Sequence, residues 1–257
     1  MRRLTLLAAV ILTAGILAAG PAGAAGFNWA GYYVGGLVGG AWGSFDPKTS
    51  TPGEPLLEFA PSSLTAFNNA GTQAIKPSGF IGGADAGYNW VFGNYLAGIE
   101  GDIESFQLHG NASSGPLVQP CCAPSSFILS SSASTTWLAT LRGRIGWIAG
   151  NNWLFYGTGG FAFTKLHGNF SFSENFYGAP PENASISGEK TGYTVGGGIE
   201  APVWPNWTLK AEYLYVRFGT VAGSGSYGPP VLVSPLPFYH SIDLHANIAR
   251  AGLNYHF

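Results

Sequence analysis

Charged residues are few in this sequence, and several of them recur at every second position. Glu100, Asp102 and Glu104 alternate with Ile99, Gly101 and Ile103, and Arg142 and Arg144 alternate with Leu141, Gly143, Ile145 and Trp147. Lys210 and Glu212 stand between Leu209, Ala211, Tyr213 and Tyr215, while Arg250, Asn254 and His256 stand between Ala249, Ala251, Leu253, Tyr255 and Phe257. Successive side chains point to opposite faces of an extended strand and residues two apart share one, so each of these segments has a charged face and an apolar face. The chemistry open to such a set is ion pairing in a shared interior. Glu100, Asp102 and Glu104 would face Arg142 and Arg144, and Glu200, Lys210, Glu212 and Arg250 would form a second set. Buried charges are costly unless paired and hydrogen-bonded, which favours a satisfied packing network. The alternative use of the same residues is a charge-lined path for small solutes.

Other reactive residues give weaker patterns. His109, His167, His240 and His245, with Asp243, fall near the ends of strand-like segments on one side. No nucleophile of known geometry accompanies them, so they read as polar residues at loop edges, and no enzyme activity is expected. No phosphate-binding loop, dinucleotide or zinc motif appears in its required context, and neither a cofactor nor a metal is expected. Cys121 and Cys122 are adjacent, a spacing that strains a mutual disulfide and lacks the separation of metal ligands. They read as a loop feature without a catalytic role.

The elements that must position the charges are strands. Segments of strand-like composition run Tyr32–Trp42, Phe80–Trp90, Tyr95–Gln107, Trp137–Ala149, Trp153–His167, Thr191–Val203, Trp207–Phe218 and Ser241–Phe257. Phe92-Gly93-Asn94, Gly150-Asn151-Asn152 and Pro205-Asn206 are turn sequences joining neighbours in antiparallel pairs. The gaps Gly43–Gly79, Leu108–Thr136, Gly168–Lys190 and Gly219–His240 are long and rich in Ser, Gly, Pro and Asn. Glycines blur the alternation in the first, second and fifth strands, whose faces stay unassigned. Trp29, Trp90, Trp147, Trp153, Trp204 and Trp207 cluster toward the short turns, and Trp42 and Trp137 toward the long gaps, as two aromatic girdles would.

Charged residues are 9% of the chain against about 25% in soluble domains, so a medium other than water is expected outside. The net charge of −2 without a basic block argues against nucleic acid. Beyond the first residues no apolar run reaches membrane-helix length. In lipid only helices and closed barrels satisfy every backbone group, which leaves a barrel. The start has Arg2 and Arg3, an apolar run from Leu4 to Ala19 and the small residues Ala22-Gly23-Ala24, the pattern of a cleaved signal peptide. The expectation is a signal over 1–24 and one barrel domain over 25–257. Its class is all-β: an eight-stranded antiparallel up-and-down transmembrane β-barrel with short periplasmic turns and long extracellular loops. A soluble lipocalin-like barrel would instead put apolar residues inside.

The opening Trp29-Ala30-Gly31-Tyr32-Tyr33-Val34-Gly35-Gly36, the segment Leu209-Lys210-Ala211-Glu212-Tyr213-Leu214-Tyr215 and the ending Arg250-Ala251-Gly252-Leu253-Asn254-Tyr255-His256-Phe257 resemble the alphaproteobacterial outer-membrane immunogenic protein and porin family. That family belongs with the small barrels related to the OmpA transmembrane domain and the opacity proteins. The resemblance implies a Gram-negative outer-membrane protein in contact with outer-membrane lipid. It also implies that Tyr255 and Phe257 form the signal read by the barrel-assembly machinery. The function it implies is a contribution to envelope structure and surface exposure, with a lumen closed by charged side chains. The alternatives are a porin-like passive channel, or a surface protein for hemin binding or adhesion, since some relatives bind haem.

Overall fold

A computed structural model describes residues 27–52, 61–150, 152–175, 180–228 and 235–257. The expected signal segment lies outside the described residues.

Among the described residues the strands are β1 (Gly31–Ser50), β2 (Ser78–Phe92), β3 (Tyr95–Phe106), β4 (His109–Ser113), β5 (Leu117–Val118), β6 (Ser126–Ala149), β7 (Trp153–Glu174), β8 (Glu182–Trp204), β9 (Trp207–Tyr227) and β10 (Leu236–His256), and a helix, α1 (Pro61–Ala70), lies between β1 and β2. Each long strand pairs antiparallel with its neighbours in sequence, β1 pairs with β10, and β3 pairs with β6, so the sheet closes on itself. β4 continues the line of β3 along β6, and the closed wall is therefore a ring of eight strands. Three tight turns join strands at one end, and Gly93, Asn152 and Asn206 hold φ of 63°, 59° and 65° there. Glycine and asparagine tolerate this left-handed conformation better than other residues, which is why they occupy these turns.

At the short-turn end the strands coincide with the expected segments. At the other end they run further: β6 begins at Ser126, β7 reaches Glu174, β8 starts at Glu182 and β9 reaches Tyr227. Much of what the composition marks as loop is thus continued wall. Its chemistry is inverted: Phe127, Leu129, Phe170, Phe172, Ile186, Val221, Phe238 and Ile242 point inward and are buried, while Ser130, Ser132, Ser134, Asn169, Asn183 and Ser185 face out. Near the short turns the reverse holds, with Val34, Val38, Ile99, Ile103, Leu141, Ile145, Phe161 and Leu209 exposed on the outer face. The outer apolar stretch covers about 11 residues on a strand, Tyr32 to Trp42 on β1 for example. Tilted as barrel strands are, that length spans roughly 25 Å, the height of a membrane band.

Two bulges manage the change. The β6–β7 register shifts between Thr135 and Leu138, and the β9–β10 register shifts between Ile242 and Leu244, opposite Gly219 and Thr220. Each adds a residue to one strand and so reverses which parity faces inward. In β6 the buried set changes from Leu129, Ser131 and Ala133 to Leu138, Thr140 and Arg142. α1 covers the mouth of this upper wall, with Phe67 packed on Phe127 and Phe172 and with Leu64, Ala66 and Ala70 against the same cluster.

Candidate functional site

The inward face of the membrane-height wall carries the charges. Arg142 lies at their centre. Its Nη2 donates to Glu100 and, at 2.8 Å, to Asp102; its Nη1 donates to Glu212 at 2.9 Å, and its Nε to the Thr140 hydroxyl at 2.9 Å. Arg250 donates to Glu104, to Asp102 at 2.9 Å and to Glu212 at 2.5 Å. Lys210 reaches Asp85 and, at 3.0 Å, Glu100. Arg144 donates to Glu200 at 3.1 Å and to Asn89 at 3.0 Å, with its guanidinium 4.5 Å from the centre of the Tyr33 ring. The two expected sets are therefore a single network, because closure of the ring faces β3 and β6 toward β9 and β10 across the lumen.

Six carboxylates meet four cations in this network: Asp85, Glu100, Asp102, Glu104, Glu200 and Glu212 against Arg142, Arg144, Lys210 and Arg250. Neutral donors serve some of the remaining oxygens, while Asp85 Oδ1, Asp102 Oδ1 and Glu104 Oε2 accept no hydrogen bond. Tyr33 donates to Glu100 at 2.6 Å, Tyr156 to Glu212 at 3.0 Å, Thr208 to Glu200 at 2.5 Å and Asn254 to Glu200 at 3.1 Å. Every one of the ten charged side chains is buried. The charge-assisted hydrogen bonds that each of them makes offset the cost of such burial.

Room for these long side chains comes from glycine. Directly across the ladder, Gly35 is paired with Asp85, Gly39 with Arg250, Gly83 with Glu104, Gly87 with Glu100, Gly98 with Arg144, Gly160 with Arg142, Gly198 with Glu212 and Gly252 with Lys210. A Cβ on Gly39 would stand 2.7 Å from Arg250 Cα, and one on Gly160 2.7 Å from Arg142 Cα. A Cβ on Gly87 would fall on the Tyr33 hydroxyl, and one on Gly35 on Asn254 and Asp85. The inward glycines thus let each charged residue lie down across its neighbour, and they explain the blurred faces of β1, β2 and β7.

Apolar layers close the lumen on both sides of the charges. Toward the short turns Trp29, Leu96, Leu154 and Tyr156 are buried together, with Phe27, Val91 and Ile148 against them. Trp29 is therefore not part of the outer girdle: it turns inward, edge-on to His256 at 5.6 Å, and its carbonyl accepts from Asn89. Trp90, Trp147, Trp153, Trp204 and Trp207 remain exposed on the outer face at that end, and Trp42 at the other, with Trp137 half-buried. Beyond the charges, Phe45, Ile81, Phe106, Leu138, Leu214, Val216, Phe218 and Ile248 fill the bore.

The remaining residues of interest do not converge. His240 points inward above the apolar layer, stacked on Phe170 at 4.4 Å, within 3.0 Å of the Thr49 hydroxyl and 3.2 Å of Glu182. His109 and His167 face outward on either side of β6, both in register with Ser134. His245 faces outward on β10, 3.8 Å from Asp46, and Asp243 accepts from Thr220. Among the described residues no group of His, Cys, Asp and Glu could hold a metal ion. Cys121 and Cys122 are joined by a disulfide in the segment between β5 and β6. Tyr255 and Phe257 stand edge to face at 5.1 Å on the outer surface, and the Phe257 amide donates to the Tyr32 carbonyl.

Asp85, Tyr33, Asn89 and Tyr156 are members of the network that the sequence pattern does not single out. Asp85 sits in Gly82-Gly83-Ala84-Asp85-Ala86-Gly87, with no second charge two residues away to mark a face. A usable signal was the pairing of lone charges with glycine-rich strands.

Residues 7–257 match the family model described as the outer membrane protein beta-barrel domain. The chain is 30% identical over 232 residues to the 31 kDa outer-membrane immunogenic protein of Brucella melitensis, covering 90% of this chain and 85% of that one. It is 31% identical over 140 residues to the 22 kDa outer membrane protein of Rhizobium leguminosarum, covering 54% of this chain and 53% of the relative. Among solved structures it is similar to the outer membrane protein OprG from Pseudomonas aeruginosa, with a TM-score of 0.47 and 13% identity over 89% of this chain and 97% of that one. The family match over residues 7–257 and the Brucella relative lead to one assignment: the chain belongs to the outer membrane protein β-barrel family and resides in the bacterial outer membrane.

Proposed function

We propose that this protein serves the envelope as a closed, non-enzymatic barrel that presents its extracellular wall and α1 at the cell surface. The observation that carries the reading is the stack of three filled layers in one bore: aromatic, charged, then apolar. An eight-stranded ring encloses only enough space for side chains, and here those side chains are tied to one another rather than arranged around a path. The scattered histidines offer neither a nucleophile with its base nor a paired set of iron ligands, which disfavours catalysis and hemin binding. The relatives named as immunogenic fit a surface-exposed protein. Tyr255 at the end of the last strand and Phe257 just after it suit a role as the segment grasped by the barrel-assembly machinery.

Planar-bilayer recording tests the closed lumen. The purified, refolded protein is expected to give no stable openings. The charge-layer variant Glu100→Gln/Arg142→Gln, where it folds, is expected to stay silent too, because the layers of Phe45, Phe106 and Leu138 and of Trp29 remain. Size-defined openings in the unaltered protein, with ion selectivity that changes on Arg142→Gln, would establish the porin-like alternative.

A further inference from the structure

The helix α1 has little of its own to hold it. Its ten residues, Pro61–Ala70, carry no charge and include Ser62, Ser63, Thr65, Asn68 and Asn69, so neither ion pairs along the helix nor propensity sustain it. A helix this short is marginal in water without tertiary contacts. Those contacts include the Phe67 ring, edge-on to Phe127 at 4.5 Å, and the Asn68 side chain, which accepts from the Thr51 amide at 2.9 Å and donates to the Thr51 carbonyl at 3.3 Å. In the first turn of the helix, the hydroxyl of fully buried Ser63 accepts from the Cys121 amide at 3.3 Å. The lid over the aromatic mouth is thus tied at its start to the disulfide segment.

That segment is a closed turn. The Gln119 amide donates to the Ser125 carbonyl at 2.7 Å, the Cys122 amide to the Gln119 carbonyl at 3.0 Å and the Ser125 amide to the Cys122 carbonyl at 2.9 Å. The disulfide joins the two residues whose amides serve Ser63 and Gln119, so one covalent ring fixes the direction of both. Cys121 is exposed and Cys122 half-buried, which leaves the bond open to thiols in the surrounding water, and exposed disulfides are the labile, regulatory kind. Gln119 is fully buried with neither side-chain Oε1 nor Nε2 hydrogen-bonded, a cost that is relieved when the turn opens to water. The covalent ring therefore holds a closed shape that this polar side chain does not favour.

We infer that Cys121–Cys122 is a redox latch on α1: a low-molecular-weight thiol reduces it, the turn loosens, and the lid lifts from the aromatic mouth. A thiolate attacks Cys121 Sγ, the S–S bond breaks, and Cys122 leaves as a thiolate that takes up a proton. A second thiolate attacks the outer sulfur of the mixed disulfide, which frees Cys121 as a thiolate that is protonated in turn and releases the reductant as its own disulfide. Two electrons and two protons have then passed to the protein. With the ring open, the Cys121 amide is no longer held toward Ser63, and Phe127, Phe172, Tyr227 and Phe238 gain access to water. The inference rests on the contacts of α1 and not on the closed lumen, so a conducting barrel leaves it standing.

Hydrogen exchange of the refolded protein in detergent micelles, read by mass spectrometry before and after treatment with excess reduced thiol, tests it. Reduction is expected to convert both cysteines to thiols and to speed exchange in Pro61–Ala70 roughly tenfold, the scale of one lost hydrogen bond, while the membrane-height parts of β3 and β6 stay protected. Ser63→Ala is expected to show the faster α1 exchange while still oxidised, and Cys121→Ser/Cys122→Ser to show it with or without thiol. Heat-shifted mobility on a detergent gel verifies folding. If the double variant does not fold, the unaltered protein in its two redox states supplies the comparison. A disulfide that the thiol leaves intact, or α1 exchange that is the same in both redox states, overturns the latch. Exchange in oxidised Ser63→Ala equal to that of the unaltered protein overturns the route through Ser63.

Discussion

Arg142→Met is expected to destabilise the folded barrel by about 3–5 kcal/mol, the range for removing one partner of a buried ion pair. The reason is what remains behind. Glu100, Asp102 and Glu212 all take hydrogen bonds from this one guanidinium, and all three are buried. Methionine fills similar space without a charge, so the carboxylates lose their common counterion while staying in a bore that water does not enter. Arg142→Lys should fall between the two, since an ammonium is a point charge and cannot span carboxylates on β3 and β9 as the forked guanidinium does. Urea unfolding in detergent micelles, followed by the loss of the heat-shifted gel band, measures the difference. The companion variant Arg142→Met/Glu212→Gln should recover part of the loss by removing one stranded carboxylate. A midpoint for Arg142→Met equal to that of the unaltered protein would mean that the charge layer does not hold the barrel together.

The membrane-height half of the fold was legible where a strand carries two or more charges on one parity. Glu100, Asp102 and Glu104 on β3, Arg142 and Arg144 on β6, and Lys210 and Glu212 on β9 each mark a face without help from structure. The upper wall was hidden because its alternation has the opposite sense. In Ser126–Thr135 Phe127, Leu129 and Ala133 are inward and serine fills four of the five outward positions, which reads by composition as loop. The parity change at the β6 bulge then breaks any single pattern drawn through the whole strand. The lumen was legible as charges but not as a network. Glu104 and Arg250 meet across 146 positions of sequence, a contact that only closure of the ring creates. Trp29 misled for a related reason: near a turn a tryptophan suits the lipid interface, yet the glycine-lined bore leaves a space at its end that an aromatic ring fills.

The glycines lead to the prediction with the sharpest contrast, between two neighbours. Gly160→Val is expected to abolish the folded band, whereas Gly159→Val is expected to leave it intact. Gly160 faces the bore, where a Cβ would meet the Leu141 carbonyl and lie 2.7 Å from Arg142 Cα; both are backbone atoms of the adjoining strand and cannot rotate away. Valine adds two methyl groups in the space through which Arg142 runs to its carboxylates. Overpacking of about 1–3 kcal/mol therefore adds to the loss of the ion network. Gly159 faces lipid, and its nearest neighbour would be the Thr194 carbonyl at 3.5 Å, an ordinary contact. On that face a β-branched side chain favours the strand and adds apolar surface to the membrane band. Refolding of both variants from urea into the same detergent, compared by the fraction of heat-shifted band, decides the matter. Equal yields would show that the bore has slack, and the account of the glycines as space for the charges would fail with it.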